Sequence, residues 1–137
     1  MLFAAYPGEE PVLDGKRIRL KNTWTGLINV NRRHDIIIEG FSVRDSPARG
    51  IMVSDSGRVT VRNNTTENTV FSGIQAWGNE SLVIDGNTII NACTGDEEIV
   101  GGTQEHISVS HSSDFEITGN IAVYGNILHD NAECGIT

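Results

Sequence analysis

Aliphatic residues recur along this chain every 23 residues. Two series show this spacing: Ile36, Val59 and Leu82, and Ile38, Val61 and Ile84. Within each repeat the two apolar positions are separated by one residue, and apolar residues at period two lie on one face of a β-strand. Strands that return at a fixed interval are typical of a solenoid, in which no repeat can bury its apolar face alone.

Each repeat is predicted to contain three short strands. The first strands lie at 35–38, 58–61, 81–84 and 114–117. The second are centred on Val43, Thr66, Ile89 and Leu128, and the third are Gly-Ile strands beginning at Gly50, Gly73 and Gly135. No segment shows the 3.6-residue period of a helix, which argues against leucine-rich repeats. We therefore predict an all-β fold, a single-stranded right-handed parallel β-helix of roughly five to six turns, with the hand taken from the usual crossover preference.

Polar residues at the predicted corners agree with a coil. Asn and Asp tolerate left-handed backbone angles and bond nearby amides. One corner is predicted to hold Asn64, Asn87 and either Asn120 or Asn126, and the next corner Asp45, Asn68, Asn91 and Asp130. Stacked amide side chains can bond from one turn to the next.

Two departures from the 23-residue spacing predict loops. Ile84 and Ile117 are 33 residues apart, which places ten extra residues between Thr94 and Glu105. Six further residues are predicted near 120–125. Insertions in solenoids become loops on one face, and that face is often the binding face.

The charge is unevenly distributed. All ten Lys and Arg lie between Lys16 and Arg62, and with seven acidic residues they give residues 1–62 a net charge of +3. Residues 63–137 contain eleven acidic residues and no Lys or Arg. Such a half repels phosphate backbones, so nucleic-acid binding is not expected. No apolar stretch approaches the ~20 residues that cross a bilayer, so no membrane segment is predicted.

Residues 1–137 are predicted to form one β-helix domain that is an internal part of a longer protein. The chain opens on the apolar strand Leu2–Ala5 and stops inside the strand Gly135–Thr137. A solenoid end without a cap presents unpaired backbone groups, so end-to-end self-association is expected. Cys93 and Cys134 are predicted to fall on adjacent turns. Both a disulfide between them and two free thiols are compatible with the sequence.

Two segments resemble a known superfamily. Ala5–Gly15, and the repeat formed by Gly50–Val53 and Val59–Asn64, are similar to secreted right-handed parallel β-helix proteins such as pectate lyases, chondroitinase B and alginate-acting lyases. The resemblance implies a secreted or cell-surface polysaccharide lyase that cleaves an acidic glycan by β-elimination. It also implies that calcium or a basic residue neutralises the uronate carboxylate. The Lys or Arg that often serves as base in such lyases cannot be assigned in residues 63–137.

The Gly-Ile strands and their insertion are the candidate groove. The side chains expected to point outward and bind substrate are Gln75, Trp77, Ser108 and Ser110, with Arg49 as a partner for an anionic glycan. An exposed Trp beside polar groups suits the face of a sugar ring. Trp77 covering a corner, and Arg49 on a solvated surface, are the alternative interpretations.

The acidic insertion supplies the candidate metal and catalytic groups. Asp96, Glu97 and Glu98 could give calcium its oxygen ligands, although a solvated acidic loop is the alternative. His106 is the candidate base because histidine titrates near neutral pH, and Glu105 is the second catalytic candidate.

Two other functions remain open at this stage. One is a non-catalytic surface or fibre module that binds glycans or partners through its side. The other is a glycoside hydrolase on the same coil, which needs two facing carboxylates roughly 5–9.5 Å apart. Glu105 with Asp96 or Glu97 is the pair that the sequence offers for it.

Overall fold

The computed structural model describes residues 1–96 and 105–123, which form fourteen β-strands and no helix. The strands are β1 (Leu2–Ala4), β2 (Val12–Asp14), β3 (Gly26–Asn31), β4 (His34–Glu39), β5 (Ser42–Arg44), β6 (Arg49–Ser54), β7 (Gly57–Arg62), β8 (Thr65–Glu67), β9 (Ile74–Trp77), β10 (Glu80–Asp85), β11 (Thr88–Ile90), β12 (Ile107–Ser110), β13 (Ser113–Thr118) and β14 (Ile121–Val123). In these residues, accordingly, no helix has the length and apolar character needed to span a bilayer.

Every third strand pairs in parallel, so the chain winds into a coil of three sheets. Sheet A has the order β1-β4-β7-β10-β13, sheet B the order β2-β5-β8-β11-β14 and sheet C the order β3-β6-β9-β12. The described residues thus form four full turns and two strands of a fifth. The predicted all-β parallel β-helix is confirmed.

The aliphatic series stack in the interior as the spacing predicts. Ile36 pairs with Val59 and Val59 with Leu82. Two residues further along the same strands, Val61 pairs with Ile84. Leu82 and Ile84 are completely buried. Burying a side chain of this size stabilises the fold by about 1.5–3 kcal/mol relative to leaving it in water. Stability therefore accumulates turn by turn along this column.

The glycines that open the strands of sheet C allow sheets B and C to meet closely. A Cβ atom at Gly50 would lie 2.6 Å from the carbonyl oxygen of Gly73. A Cβ atom at Gly73 would lie 2.5 Å from Oγ1 of Thr66 and 2.6 Å from a methyl group of Ile89. No real Cβ tolerates these distances, so a side chain at either glycine would push the sheets apart.

An asparagine ladder closes the corner between sheets A and B. Oδ1 of Asn87 accepts hydrogen bonds from the backbone N and the Nδ2 of Asn64, at 3.0 and 3.1 Å. Nδ2 of Asn87 donates to the carbonyl of Val61 and to Oδ1 of Asn120, both at 2.9 Å. The predicted ladder is therefore confirmed, with Asn120 as its next member.

The register corrects one predicted insertion. Ile74 pairs with Ile107, which confirms ten extra residues between Thr94 and Glu105. Ile89, however, pairs with Ala122 and not with Leu128, so no six-residue insertion precedes Val123. The chain contains Gly-Asn-Ile twice, at 119–121 and 125–127, and the sequence pattern does not distinguish the copies. The first copy completes the ladder, and residue 128 lies outside the described residues.

The first turn leaves one end of the apolar column open. A cavity of about 450 Å³ there is lined mainly by apolar side chains, among them Phe3, Leu13, Ile28 and Ile38. Phe3 on the edge strand β1 is 47% exposed. The expected end-to-end self-association stays a prediction.

Candidate functional site

The outer face of sheet C carries two columns of side chains. Register pairs Met52 with Gln75 and Gln75 with Ser108 in one column. The second column contains Asn31, Ser54, Trp77 and Ser110. On β9, Ile74 and Ala76 alternate with these outward positions and are completely buried in the coil, as predicted.

The first column is covered, whereas Trp77 and Ser110 of the second column are accessible. Gln75 and Ser108 are each only 5% exposed, whereas Trp77 and Ser110 are partly exposed. The sequence prediction placed all four on an open groove. The structure brings all four to one face but leaves only Trp77 and Ser110 within reach of a ligand.

Arg49, predicted to meet a glycan, lies inside the protein and is 2% exposed. Its guanidinium lies over two rings, 4.4 Å from the centroid of Trp24 and 4.6 Å from that of Phe71. Its Nε donates to Oε1 of Gln75 and its Nη1 to the carbonyl of Thr23. Burial lowers the pKa of Arg49 to about 10, so the side chain remains protonated at neutral pH. Its role is therefore internal.

Trp77 belongs to a cluster of three aromatic rings, which we call the aromatic platform: Trp24, Trp77 and His111. The ring centroids of Trp24 and Trp77 are 5.7 Å apart with planes at 80°, an edge-to-face contact. The His111 ring lies 3.9 Å from Trp77 at 32°, close to stacked. Trp24 is 49% exposed and His111 is exposed, so solvent reaches the cluster.

The corner after sheet C positions His111. The register of β9 and β12 places His111 one turn along from Gly78, and both have left-handed backbone angles, with φ of 51° and 67°. A Cβ atom at Gly78 would lie 2.9 Å from Oδ1 of Asp55, on the preceding turn. Because Gly78 has no side chain, the carboxylate of Asp55 has room to lie against the backbone of Gly78.

Basic side chains flank β3, the first strand of sheet C. Arg17, Arg19 and Lys21 precede it and Arg32 and Arg33 follow it, and all five are exposed. We call these five residues the basic rim. Among the described residues none of them lies within salt-bridge distance of a carboxylate.

The other faces use their arginines differently. On sheets A and B, three arginines pair with carboxylates on neighbouring strands: Arg44 with Asp14 at 2.9 Å, Arg58 with Asp35 at 2.6 Å and Arg62 with Glu39 at 3.1 Å. Carboxylates thus neutralise these three arginines of sheets A and B, whereas the five residues of the basic rim have no carboxylate within salt-bridge distance among the described residues.

Comparison with known families agrees with this architecture. A family described as right-handed β-helix region matches residues 13–137. The chain belongs to that family. The uncharacterized protein YwoF of Bacillus subtilis (strain 168) is 26% identical over 145 residues, which cover 98% of this chain and 30% of that protein. The chain thus spans less than a third of this curated relative's length, and no solved structure matches it.

The catalytic candidates of this β-helix protein are buried. His106 and Glu105 are 3% and 6% exposed and lie next to each other just before β12. A buried base must be reached by its substrate, so this structure does not present His106 to a glycan on the outer face. His111, five residues later, is the exposed histidine on the platform.

The metal and hydrolase predictions fall largely outside the described residues. Asp96 is exposed, but Glu97 and Glu98 lie outside the described ranges. Within those ranges no three His, Cys, Asp or Glu side chains are grouped as metal ligands would be. Calcium binding and the glycosidase pair of Glu105 with Asp96 or Glu97 stay predictions. Cys93 is buried and Cys134 is outside the described residues, so their pairing also stays open.

Sequence reasoning missed Trp24 and the place of Phe71. Trp24 lies in the connection between β2 and β3, and its 53-residue separation from Trp77 is no multiple of the repeat. One signal was available: Trp24 directly precedes Thr25 and the Gly26-Leu27-Ile28 run, a Gly-aliphatic strand like those at Gly50 and Gly73. A Trp at the entry of that strand is placed at the edge of the same sheet as Trp77.

Proposed function

We propose that this protein binds an acidic polysaccharide along the outer face of sheet C. The observation that carries the proposal is that His111 of the aromatic platform and Arg32 of the basic rim lie along the same edge of sheet C. An indole face provides an apolar surface for a sugar ring, while the polar edges of the ring bond to neighbouring groups such as Ser110. Exposed guanidinium groups suit carboxylates and sulfates because their planar donors can bind two oxygens at once.

The dimensions of the face favour an extended ligand. Arg32, Asp55, Gly78 and His111 occupy the same corner on four successive turns. Stacked strands lie about 4.8 Å apart, so Arg32 and His111 are separated by about 14 Å. A single sugar does not bridge this distance, whereas an oligosaccharide does. A polymeric acidic glycan of this kind fits a secreted or cell-surface location, which is part of the proposal.

Titration calorimetry with oligomers of pectate, alginate and chondroitin, beside a neutral glucan, tests the binding. We expect saturable binding of at least one acidic oligomer, weakened about tenfold or more by Trp77→Ala, the equivalent of ~1.4 kcal/mol. Tyr6→Ala, which removes an exposed ring elsewhere, is the matched control. Affinity for none of the acidic oligomers, or equal affinity of the Trp77 variant and the unmodified protein, would contradict the proposal.

The charge component has its own comparison. Arg32→Gln with Arg33→Gln should weaken binding of the acidic oligomer and reduce its dependence on salt, because exposed charges are screened within about 8–10 Å at moderate ionic strength. Arg58→Gln, which removes an arginine already paired with Asp35, should leave affinity unchanged. Equal effects of both changes would mean that net charge, and not the basic rim, attracts the ligand.

Cleavage by β-elimination is the second candidate function, and the observation that favours it is His111. An exposed imidazole packed against Trp77 lies beside the surface where we propose that a sugar binds, and an imidazole can act as a general base. Arg32, the rim residue in this column, is about 14 Å away and would not neutralise the carboxylate beside the cleaved bond. Binding therefore ranks before catalysis.

Turnover separates the two functions. The unsaturated product is measured on the same three polymers, with and without calcium. A lyase would form product, and His111→Ala would remove turnover while leaving most of the binding. If no polymer yields product although binding is saturable, the protein is a binding module.

A further inference from the structure

We propose that Arg49 is a positioning residue that holds Trp24 in the aromatic platform. The inference deepens the proposed function and rests on it. Arg49 does not contact the ligand, because it is 2% exposed. It acts on the site through Trp24.

Arg49 binds the Trp24 segment at three consecutive residues. Its backbone N donates to the carbonyl of Thr25 at 3.2 Å, and its Nη1 donates to the carbonyl of Thr23. Between these two contacts its guanidinium lies over the ring of Trp24. Arg49 thus holds the backbone on both sides of Trp24, through its own backbone N at Thr25 and through its side chain at Thr23, and the side chain also contacts the indole.

The same guanidinium reaches the strand that carries Trp77. Nε of Arg49 donates to Oε1 of Gln75, which lies two residues before Trp77 on β9. Side chains two residues apart on a strand share a face. Arg49 therefore connects the segment of Trp24 with the strand of Trp77, and this connection sets the edge-to-face contact between the two indoles.

The guanidinium also packs over the ring of Phe71. A cation over aromatic rings gains most when it is desolvated, as Arg49 is. Lysine would not reproduce this arrangement, since an ammonium group has neither two flat faces nor donors in a planar fork. The requirement for arginine is therefore specific and can be tested by a conservative change.

Little else in the described structure anchors Trp24. The connection before it is long, and Lys21, Asn22 and Thr23 are exposed. Trp24 itself is 49% exposed, and its ring contacts are with Trp77 and Arg49. Loss of Arg49 should release the indole from the platform.

Spectroscopy reports on this pair directly, because Trp24 and Trp77 are the only tryptophans of the chain. We expect Arg49→Met and Arg49→Lys to abolish the circular-dichroism couplet of the two indoles and to raise acrylamide quenching about twofold, with the far-ultraviolet spectrum of the coil retained. A couplet and quenching equal to those of the unmodified protein would overturn the inference, and this readout needs no glycan.

A double-mutant cycle distinguishes positioning from a general loss of structure. Arg49→Met should weaken binding of the acidic oligomer about as much as Trp24→Ala does, by a factor of about ten, and should have no further effect in the Trp24→Ala background. If Arg49→Met weakened glycan binding equally in the unmodified protein and in the Trp24→Ala background, the inference would be overturned. If the unmodified protein binds no glycan while the couplet depends on Arg49, the proposed function fails and the positioning role stands.

One measurement does not depend on how the variants fold. Nuclear Overhauser contacts between the Arg49 guanidinium and the rings of Trp24 and Phe71 should be present in the unmodified protein. Their absence would overturn the inference.

Discussion

The corner between sheets A and B and the outer face of sheet C are built on the same coil by opposite rules. At the corner, one residue type repeats on successive turns, and Asn64, Asn87 and Asn120 satisfy one another's polar groups. On the outer face no residue type occupies successive turns: the neighbours of Trp77 in its column are Ser54 and Ser110. Repeated side chains therefore maintain the coil, and single, unrepeated side chains make one turn differ chemically from the next.

Asn87→Ala should give the largest loss of stability among the changes we propose. It removes the acceptor of Asn64 and the donor to Val61 inside a fully buried corner. Unsatisfied buried groups cost about 1–3 kcal/mol each, so we expect the free energy of unfolding to fall by about 3 kcal/mol. Urea unfolding measures this loss in the free energy of unfolding.

The control for this change is Asn22→Ala, which alters an exposed asparagine and should stay within about 0.5 kcal/mol. If the corner only maintains the coil, Asn87→Ala should leave the glycan affinity of the folded fraction unchanged. A loss below about 1 kcal/mol, or weakened binding by the folded protein, would break the distinction between the two regions.

Thr66 is a polar residue in an otherwise aliphatic interior column. Its replacement by valine should change the free energy of unfolding by less than Asn87→Ala does, and in the opposite direction. It occupies the interior column of sheet B between Val43 and Ile89, is completely buried, and its Oγ1 has no hydrogen-bond partner among the described residues. Thr66→Val keeps the shape and removes an unpaired hydroxyl, so we expect it to raise the free energy of unfolding by about 1 kcal/mol. The matched control is Thr65→Val on the outward face of the same strand, which gains nothing from burial.

Urea unfolding of the two threonine variants sharpens the comparison. A stabilised Thr66→Val protein with unchanged glycan binding would place position 66 wholly in the scaffold. Destabilisation would mean that the hydroxyl has a partner beyond the described residues and that the interior is not purely apolar at this turn.

These two regions also explain which features could be read from the sequence. Ile36, Val59 and Leu82 show the coil because each turn imposes the same burial on the same position. The misplacement of Leu128 arose where two Gly-Asn-Ile copies satisfy the same local pattern, and only pairing between turns selects the first. Periodicity identified Trp77 as outward, but it contains no information about which side chains from a connection will cover a column.

Arg49 shows most clearly what the repeat pattern cannot predict. Its position on a Gly-Ile strand is evident from the repeat, but its burial depends on Trp24 and Phe71, which lie outside the equivalent positions. Charge alone suggested a ligand partner. The contacts assign it to the assembly of the site.

The ion pairs of sheet A should have the smallest effect, and they complete the comparison with the basic rim. The hydrogen bond from Arg58 lowers the pKa of Asp35, and the bonds from Arg62 and Asn63 lower that of Glu39. A carboxyl group whose folded pKa is lowered contributes stability above its unfolded pKa, and this contribution disappears as the pH falls through the folded value. The window therefore lies below the ordinary values of 3.8 for Asp35 and 4.5 for Glu39.

Arg58→Gln should lower the unfolding temperature at about pH 7 by less than Thr66→Val raises it, since exposed pairs are weak and screened. The difference from the unmodified protein should vanish at about pH 2, where the carboxylates of both proteins are protonated. Differential scanning calorimetry measures both limits, and Arg32→Gln is the control, since it removes a rim arginine that contributes charge but no pair. A pH-independent difference would show that Arg58 acts through packing and not through Asp35.

Arg58→Gln should change stability without affecting glycan binding, and Arg32→Gln should do the reverse, because only the first cation already has its carboxylate within the fold.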